Sequence, residues 1–276
     1  MASVTEEVIE PGREIVDAHH HIFELSTAIS PYSLADLWRD TSGHNVGQTV
    51  FMECGEHYRG TGLPELVAAG ETEWVHRLAI QARDAPAGVA RIAGIVGKAN
   101  LALGEPGQPL LEAHMAASTL FRGVRDNACW GEGDGVHQMA GIGHAKESGD
   151  AGYRAGVKCL GAQGLVFDAA NYHTQILGLR DLARAVPETT MVVNHLATPL
   201  GVGPYADRRD EISPIWSGDM TQLAECENVR VKLGGMAIGG EVVASGDGPD
   251  RRTVERDFHA LVDDTGAPQR VPLPRL

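Results

Sequence analysis

Short apolar runs rich in β-branched residues alternate along the chain with longer stretches in which apolar residues recur at helical spacing. This pattern predicts strands at 15–22, 48–54, 91–101, 121–125, 164–170, 189–197 and 229–235. It predicts helices at 34–38, 71–83, 109–118, 148–160, 174–185 and 217–226. Because consecutive parallel strands need a crossover connection, usually a helix, the alternation predicts an α/β fold with a parallel sheet.

Such a sheet is either an open doubly wound sheet or a closed barrel. No Gly-x-Gly-x-x-Gly motif opens a helix after the first strand, which removes the commonest reason to prefer the open form. The chain has no internal repeat and no Pro- or Ser-rich linker, so we expect one domain over 1–276 with an N-terminal tail at 1–13. The length is common for a single barrel domain.

The charge of the chain limits its partners. It carries 37 acidic and 23 basic side chains, a formal net charge of −14, so no basic surface is expected for nucleic acid. No run of 18 apolar residues predicts a membrane span, and the acidic N-terminus lacks the apolar core of a signal peptide. The four cysteines form no Cys-x-x-Cys pair. We therefore expect a reduced, cytoplasmic protein that acts on a small molecule.

The first predicted strand contains three consecutive histidines, in IVDAHHHIFE. Side chains alternate across a strand, so His19 and His21 share one face, together with Asp17, while His20 points away. Two imidazoles one strand period apart could form half of a zinc-type site. The alternative is a pair of buried structural histidines, which would need hydrogen-bond partners to offset the cost of desolvation.

Further histidines follow other predicted strands. His195 lies at the C-terminal end of the sixth strand, the end where barrel enzymes place their chemistry. His173 follows the fifth strand and His57 the second, so both could line the same rim. For these two the pattern leaves substrate contact, metal binding and a surface role open.

Arg125, at the end of the fourth strand, is the best candidate to bind a substrate carboxylate, because a guanidinium pairs with such a group through two hydrogen bonds. A structural ion pair is the alternative for this residue. Tyr172 and Glu53 are weaker candidates for the substrate site.

Seven sequence blocks together resemble one known family. They are DAHHHIF, HNV followed by TVFMEC, AGIVG, FRGVR, GLVFDA with YHTQ, VVNHLATPLG and VKLGG, and they span about 15–235. Their order resembles the amidohydrolase-2 branch of the amidohydrolase superfamily. This branch consists of predicted TIM-barrel metal-dependent hydrolases and includes sugar-lactone and pyrone-dicarboxylate lactonases.

The resemblance implies a (β/α)8 barrel with His19 and His21 as the first-strand pair and His195 as the histidine of a later strand. It implies at most one divalent ion, zinc, because the superfamily's carbamylated lysine on strand four has no counterpart in FRGVRDN. Some lactonases of the branch work without a metal, so metal-independent catalysis stays open.

The C-terminal part departs from the family. Relatives end an eighth strand in a Ser-Asn-Phe-Pro-x-Asp type motif whose aspartate binds metal or activates water, and no such motif occurs here. The segment 263–276 is rich in proline, a poor strand residue, so we expect it to be an aberrant tail and the eighth strand to be missing or altered. Asp263 and Asp264 are more typical of a solvated helix end than of a replacement base.

The resemblance implies a hydrolase, and we expect a lactonase that opens a sugar lactone or a carboxylated ring lactone with activated water. Since the family aspartate is absent, His173 is the candidate for proton transfer, because imidazole titrates near neutral pH. A metal-dependent decarboxylase of an aromatic or unsaturated acid is one alternative. A catalytically impaired, truncated member of the family is another, and homo-oligomerisation stays open.

Overall fold

The computed structural model describes residues 10–27, 29–137 and 149–235. The strands are β1 (Ile15–His20), β2 (Val46–Met52), β3 (Arg91–Lys98), β4 (Phe121–Asn127), β5 (Val166–Ala170), β6 (Met191–Val193) and β7 (Val229–Val231). The α-helices are α1 (Leu34–Thr41), α2 (Ala69–Asp84), α3 (Gln108–Ala117), α4 (Ala151–Ala162), α5 (Ile176–Ala185) and α6 (Arg209–Ala224). Short 3-10 turns connect them, among them His173–Gln175 and Asn194–Ala197.

All seven strands form one parallel sheet in chain order, from β1 to β7. The sheet curls into a half-barrel, which confirms the predicted barrel-type α/β fold. The curl brings the C-terminal ends of β6 and β7 to β1. Nδ1 of His19 lies 3.2 Å from Oδ1 of Asn194 and 3.5 Å from Nζ of Lys232.

Strand alternation separates a helix-facing core from a polar interior. Val124 on β4 and Phe167 on β5 belong to the largest buried apolar cluster, which also includes residues of α3, α4, α5 and α6. Their strand neighbours Arg125 and Asp168 are paired in register and project to the opposite face. The concave side of the sheet thus carries the charged groups.

Local sequence explains where two helices begin. Ser33 caps α1 with a capping box, in which Asp36 accepts a hydrogen bond from the Ser33 backbone N–H. Asp150 caps α4 by accepting from the N–H of Tyr153.

Several predicted boundaries differ from the structure, and two elements differ most. The strand predicted at 189–197 covers only Met191–Val193, because the chain then turns through residues with positive φ. The helix predicted at 217–226 begins eight residues earlier, at Arg209, and continues through Pro214 despite the missing N–H donor.

The N-terminal tail expected at 1–13 is described only from residue 10. The tail expected at 263–276, Asp263, Asp264 and the altered eighth strand lie outside the described residues. Within 10–27, 29–137 and 149–235, no helix is long and apolar enough to cross a membrane.

Candidate active site

The site begins at a bulge in β1. The pairing of β1 with β2 shifts register between Asp17 and His20. There the backbone N–H of His19 donates to Oδ1 of Asp17 at 3.0 Å. His20 is buried against the ring of Phe51, whereas Nε2 of His19 lies 3.1 Å from Nε2 of His21. The predicted division of the three histidines between two faces is therefore what the structure shows.

The Nδ1 atoms of His19 and His21 each lie within hydrogen-bond distance of an oxygen atom. Nδ1 of His21 lies 2.8 Å from the carbonyl oxygen of Met52, and this oxygen can only accept, so Nδ1 carries the proton. With Asn194 oriented as it is, Nδ1 of His19 likewise donates to Oδ1 of Asn194. In neutral rings both Nε2 atoms are then unprotonated, and two lone pairs face each other across 3.1 Å.

A proton shared between Nε2 of His19 and Nε2 of His21 is disfavoured near pH 7. Burial, followed by the charge of Arg125, lowers the pKa of His21 to about 3. Burial, followed by the charge of Lys232, lowers the pKa of His19 well below its usual range. Both rings are therefore neutral near pH 7, which keeps their lone pairs available as ligands.

His195 joins the pair from the other side of the half-barrel. It follows β6 in a left-handed backbone conformation with φ of 50°, and its ring centroid lies 4.5 Å from that of His19. Its Nδ1 is buried and has no hydrogen-bond partner among the described residues. Burial, followed by Lys232, lowers its pKa to about 4. The rings of His19, His21 and His195 thus lie next to one another on this rim.

Arg125 and Glu53 form a buried ion pair beside the imidazoles. Nε of Arg125 donates to Oε1 of Glu53 at 2.7 Å, and Nη2 donates to the Glu53 carbonyl oxygen at 2.5 Å. Nη1 of Arg125 makes no hydrogen bond to a described residue. The structural ion pair considered as an alternative is thus present, and one guanidinium nitrogen is left over for a ligand.

Two charged residues that the sequence analysis missed lie on the concave face. Nζ of Lys232 is 2.6 Å from Oδ2 of Asp168, and both side chains are buried. Burial raises the pKa of Asp168 and lowers that of Lys232, and each charge opposes the shift of the other. The charged residues inside the otherwise apolar runs GLVFDAA and VRVKLGG are the signal that could have revealed them.

His173 lies on the loop after β5, where its Nδ1 accepts a hydrogen bond from the backbone N–H of Leu200 at 3.1 Å. Its ring stands edge-on to Tyr205. Burial lowers its pKa to about 4, so the ring is neutral near pH 7 and its proton is on Nε2. It can donate a hydrogen bond from that atom.

Tyr172 and His57 have partners of their own. The Tyr172 hydroxyl donates to the carbonyl oxygen of His137 at 2.5 Å. His57 stacks on Trp74, and its Nε2 lies 3.0 Å from a carboxylate oxygen of Glu24. Among the described residues, no hydrogen bond or ring contact joins His57 or His173 to the imidazole pair.

The imidazole pair fits a zinc ion. Zn–N bonds of about 2.0–2.1 Å in a tetrahedral site place two ligand nitrogens about 3.3–3.4 Å apart, close to the 3.1 Å between His19 and His21. Oxygen partners on the outer nitrogens are also typical of metal-binding histidines. Across the described ranges, no three His, Cys, Asp or Glu side chains are already gathered as a metal site.

Comparison with known proteins agrees with the fold. The family model described as amidohydrolase matches residues 16–265. An uncharacterized protein of Sinorhizobium fredii, y4mH, is 26% identical over 245 residues, which are 82% of this chain and 74% of that protein.

Two crystal structures of an amidohydrolase from Burkholderia multivorans are similar in fold. The form with bound HEPES has a TM-score of 0.61 and 21% identity over 91% of this chain and 80% of that chain. The form with bound zinc has a TM-score of 0.59 and 20% identity over the same shares, 91% and 80%.

Proposed function

We propose that this chain, which belongs to the amidohydrolase family, is a lactonase that hydrolyses a sugar lactone or a carboxylated ring lactone. The family consists in general of hydrolases. The observation that carries the proposal is the pair of Nε2 atoms of His19 and His21, 3.1 Å apart on the concave face of the half-barrel.

In this proposal His19, His21 and His195 would hold one divalent ion, and zinc is the candidate. The fit of the nitrogen pair to zinc and the zinc found in the Burkholderia multivorans relative both support the choice. A bound divalent ion supplies Lewis acidity, which activates both water and a carbonyl group.

Arg125 binds the carboxylate of an anionic lactone in this proposal. Glu53 fixes two of its nitrogens, so the guanidinium is already oriented and loses little freedom when a substrate binds. Nη1 remains to donate to the substrate. Because Glu53 offsets the charge of Arg125, the preference for an anion comes from this directed hydrogen bond more than from net charge.

His173 is the proposed proton-transfer residue. Its Nδ1 is occupied by the Leu200 N–H, so the neutral ring would act through Nε2–H, which would donate a hydrogen bond to the leaving alkoxide while the proton released by the attacking water passes to that alkoxide. His57 and Tyr172 are proposed to flank the substrate from the loops after β2 and β5. Their present partners, Glu24 and the His137 carbonyl, would hold those loops in place.

A pH-stat assay on the full chain tests the proposal. The panel contains neutral sugar lactones and carboxylated ring lactones, each with added zinc and with a chelator. Acid release from at least one lactone is expected, with loss of the rate in His19→Ala.

Release of CO2 with proton uptake from an unsaturated acid, and no lactone opening, would replace the lactonase by a decarboxylase. If no substrate reacts and the chain aggregates on size exclusion or melts without cooperativity, the impaired-enzyme alternative is correct.

A further inference from the structure

A buried carboxylate in the loop after β2, residues 53–57, binds the loop after β1, residues 23–26. Oε2 of Glu56 accepts from the backbone N–H of Leu25 at 2.7 Å and from that of Glu24 at 3.3 Å. Oε1 accepts from the N–H of Ser26 at 2.9 Å. Three consecutive N–H groups thus share one carboxylate, and hydrogen bonds to a charged acceptor are the stronger kind.

The order of the loop after β1 depends on this carboxylate rather than on burial. The side chain of Leu25 is 62% exposed, whereas Glu56, to which its N–H donates, is only 2% exposed. Within the described parts of the chain, the N–H groups of 24–26 have no other acceptor. Without Glu56 these three amides would therefore be free to exchange with water.

The loop after β2 is in turn fixed to α2. Oε1 of Glu71, in the first turn of α2, accepts from the N–H of Cys54 at 3.0 Å and from that of Glu56 at 2.8 Å. A Cβ atom at Gly70 would overlap the carbonyl oxygen of His57, so the end of this loop packs directly on the start of the helix. The carboxylate of Glu56 thus extends from a turn that is already held at both ends.

A second contact joins the two loops in the opposite direction. Oε2 of Glu24 lies 3.0 Å from Nε2 of His57. His57 stacks on Trp74 of α2, with ring centroids 4.3 Å apart. Each loop therefore contributes one glutamate to the other, and the two loops form a single unit anchored on α2.

Both loops begin at residues of the candidate site. The ring of Phe23, in the loop after β1, lies with its centroid 5.5 Å from that of His21. The loop after β2 begins at Glu53, which accepts a hydrogen bond from Arg125. Because β1 and β2 end at the same rim, the joined loops lie where they can form a wall beside these side chains.

We propose that Glu56 is a positioning residue that orders the two loops, before any substrate arrives, as one wall of the substrate site. A substrate that meets an ordered wall does not have to order it, whereas a loose loop reduces affinity by the cost of ordering. Loss of Glu56 should therefore raise KM and leave kcat nearly unchanged. This effect on catalysis rests on the proposed function, but the order of the loops is independent of it.

Hydrogen–deuterium exchange of single backbone amides, followed by NMR on the full chain, measures this order. Relative to their intrinsic rates, the wild-type amides of 24–26 should exchange more slowly than those of the exposed residues 60–62, whose N–H groups have no acceptor among the described residues. In Glu56→Gln one of the two oxygens becomes an NH2 group, so either Leu25 or Ser26 loses its acceptor. That amide should exchange about 10- to 100-fold faster, as expected for the loss of a hydrogen bond to a charged group.

Glu73→Gln is the matched control, because it makes the same change in an ion pair with Arg59 and leaves the contacts of 24–26 intact. Steady-state kinetics are then measured on a lactone that the wild type opens. Glu56→Gln should raise KM about 10-fold and keep kcat within about twofold of the wild type, and the control should change neither.

The proposal is overturned if the wild-type amides of 24–26 exchange as fast as those of 60–62, or if Glu56→Gln leaves their exchange unchanged. Faster exchange in Glu56→Gln without a rise in KM would also overturn it, because Glu56 would then be a structural anchor without a role in substrate binding. A wild type that opens no lactone would refute the proposed function, and the exchange rates would still show whether Glu56 orders the loops.

Discussion

Gly235 lies directly against the imidazole of His195, so that a Cβ atom at position 235 would overlap Nδ1 and Cγ of the ring. The neighbouring Gly234 has open space where a Cβ atom would be added. The position of His195 thus depends on the absence of a side chain at position 235, which lies 40 residues later in the sequence, after β7.

Gly235→Ala should displace His195 and lower the zinc content of the purified protein. Position 235 also has φ of 74°, which adds a backbone cost of about 1 kcal/mol for any other residue. Gly234→Ala is the control and should retain zinc. Metal analysis after gel filtration checks this, with circular dichroism as a test of folding, and equal zinc in both variants would contradict it.

His19→Ala and His195→Ala should each abolish metal retention, because each removes a proposed ligand. His20→Leu, on the opposite face of the same strand, should keep the metal content of the wild type. Metal analysis of folded protein measures this directly. Unchanged content in His19→Ala or His195→Ala would reject that residue as a ligand.

Arg125→Ala should raise KM for a carboxylated lactone at least about 10-fold, since a hydrogen bond to a charged group contributes about 1.5–3 kcal/mol. It should have little effect on a neutral lactone. Arg122→Ala is the control on the same strand, because among the described residues Arg122 donates to the carbonyl oxygens of Thr119 and Phe121 and to no other group. Equal losses on both kinds of substrate in Arg125→Ala would show that this residue acts only through its ion pair with Glu53.

Glu71→Gln should reduce the dependence of stability on pH. Burial raises the pKa of Glu71 to about 7 from its usual 4.5, although the N–H groups of Cys54 and Glu56 donate to Oε1. An acid with a raised folded pKa loses stability as pH rises from the unfolded toward the folded value. Between pH 5 and pH 8 the wild type should lose about 2 kcal/mol more than the variant.

Urea unfolding at the two pH values measures this difference. Parallel free-energy changes in wild type and variant would mean that Glu71 is ionised throughout, contrary to the effect of its burial.

The sequence predicts all seven strands, because buried parallel strands form continuous apolar runs. It also predicts the convergence of His19, His21 and His195, since parallel strands bring their C-terminal ends to one rim. Asp168 and Lys232 are not predicted because the pattern of apolar positions ignores charged residues within a predicted strand.

The backbone conformation at the end of β6 is a further feature that could not be predicted from the sequence. Four consecutive non-glycine residues there have positive φ: His195, Leu196, Ala197 and Thr198. This conformation costs roughly 1–2 kcal/mol of backbone strain for each of them. No turn motif in VVNHLATPLG indicates such a run. Tertiary contacts impose it, and Leu196 and Ala197 are buried in the main apolar cluster.

The indole N–H of Trp216, in the outer helix α6, donates to the carbonyl oxygen of Leu196 at 2.8 Å. This hydrogen bond stabilises the strained turn from outside the sheet. A helix on the outer side of the sheet thus helps to position His195, a histidine of the inner side. We expect substitutions on the buried face of α6 to change the chemistry at the rim, although none of the residues that line the rim is altered.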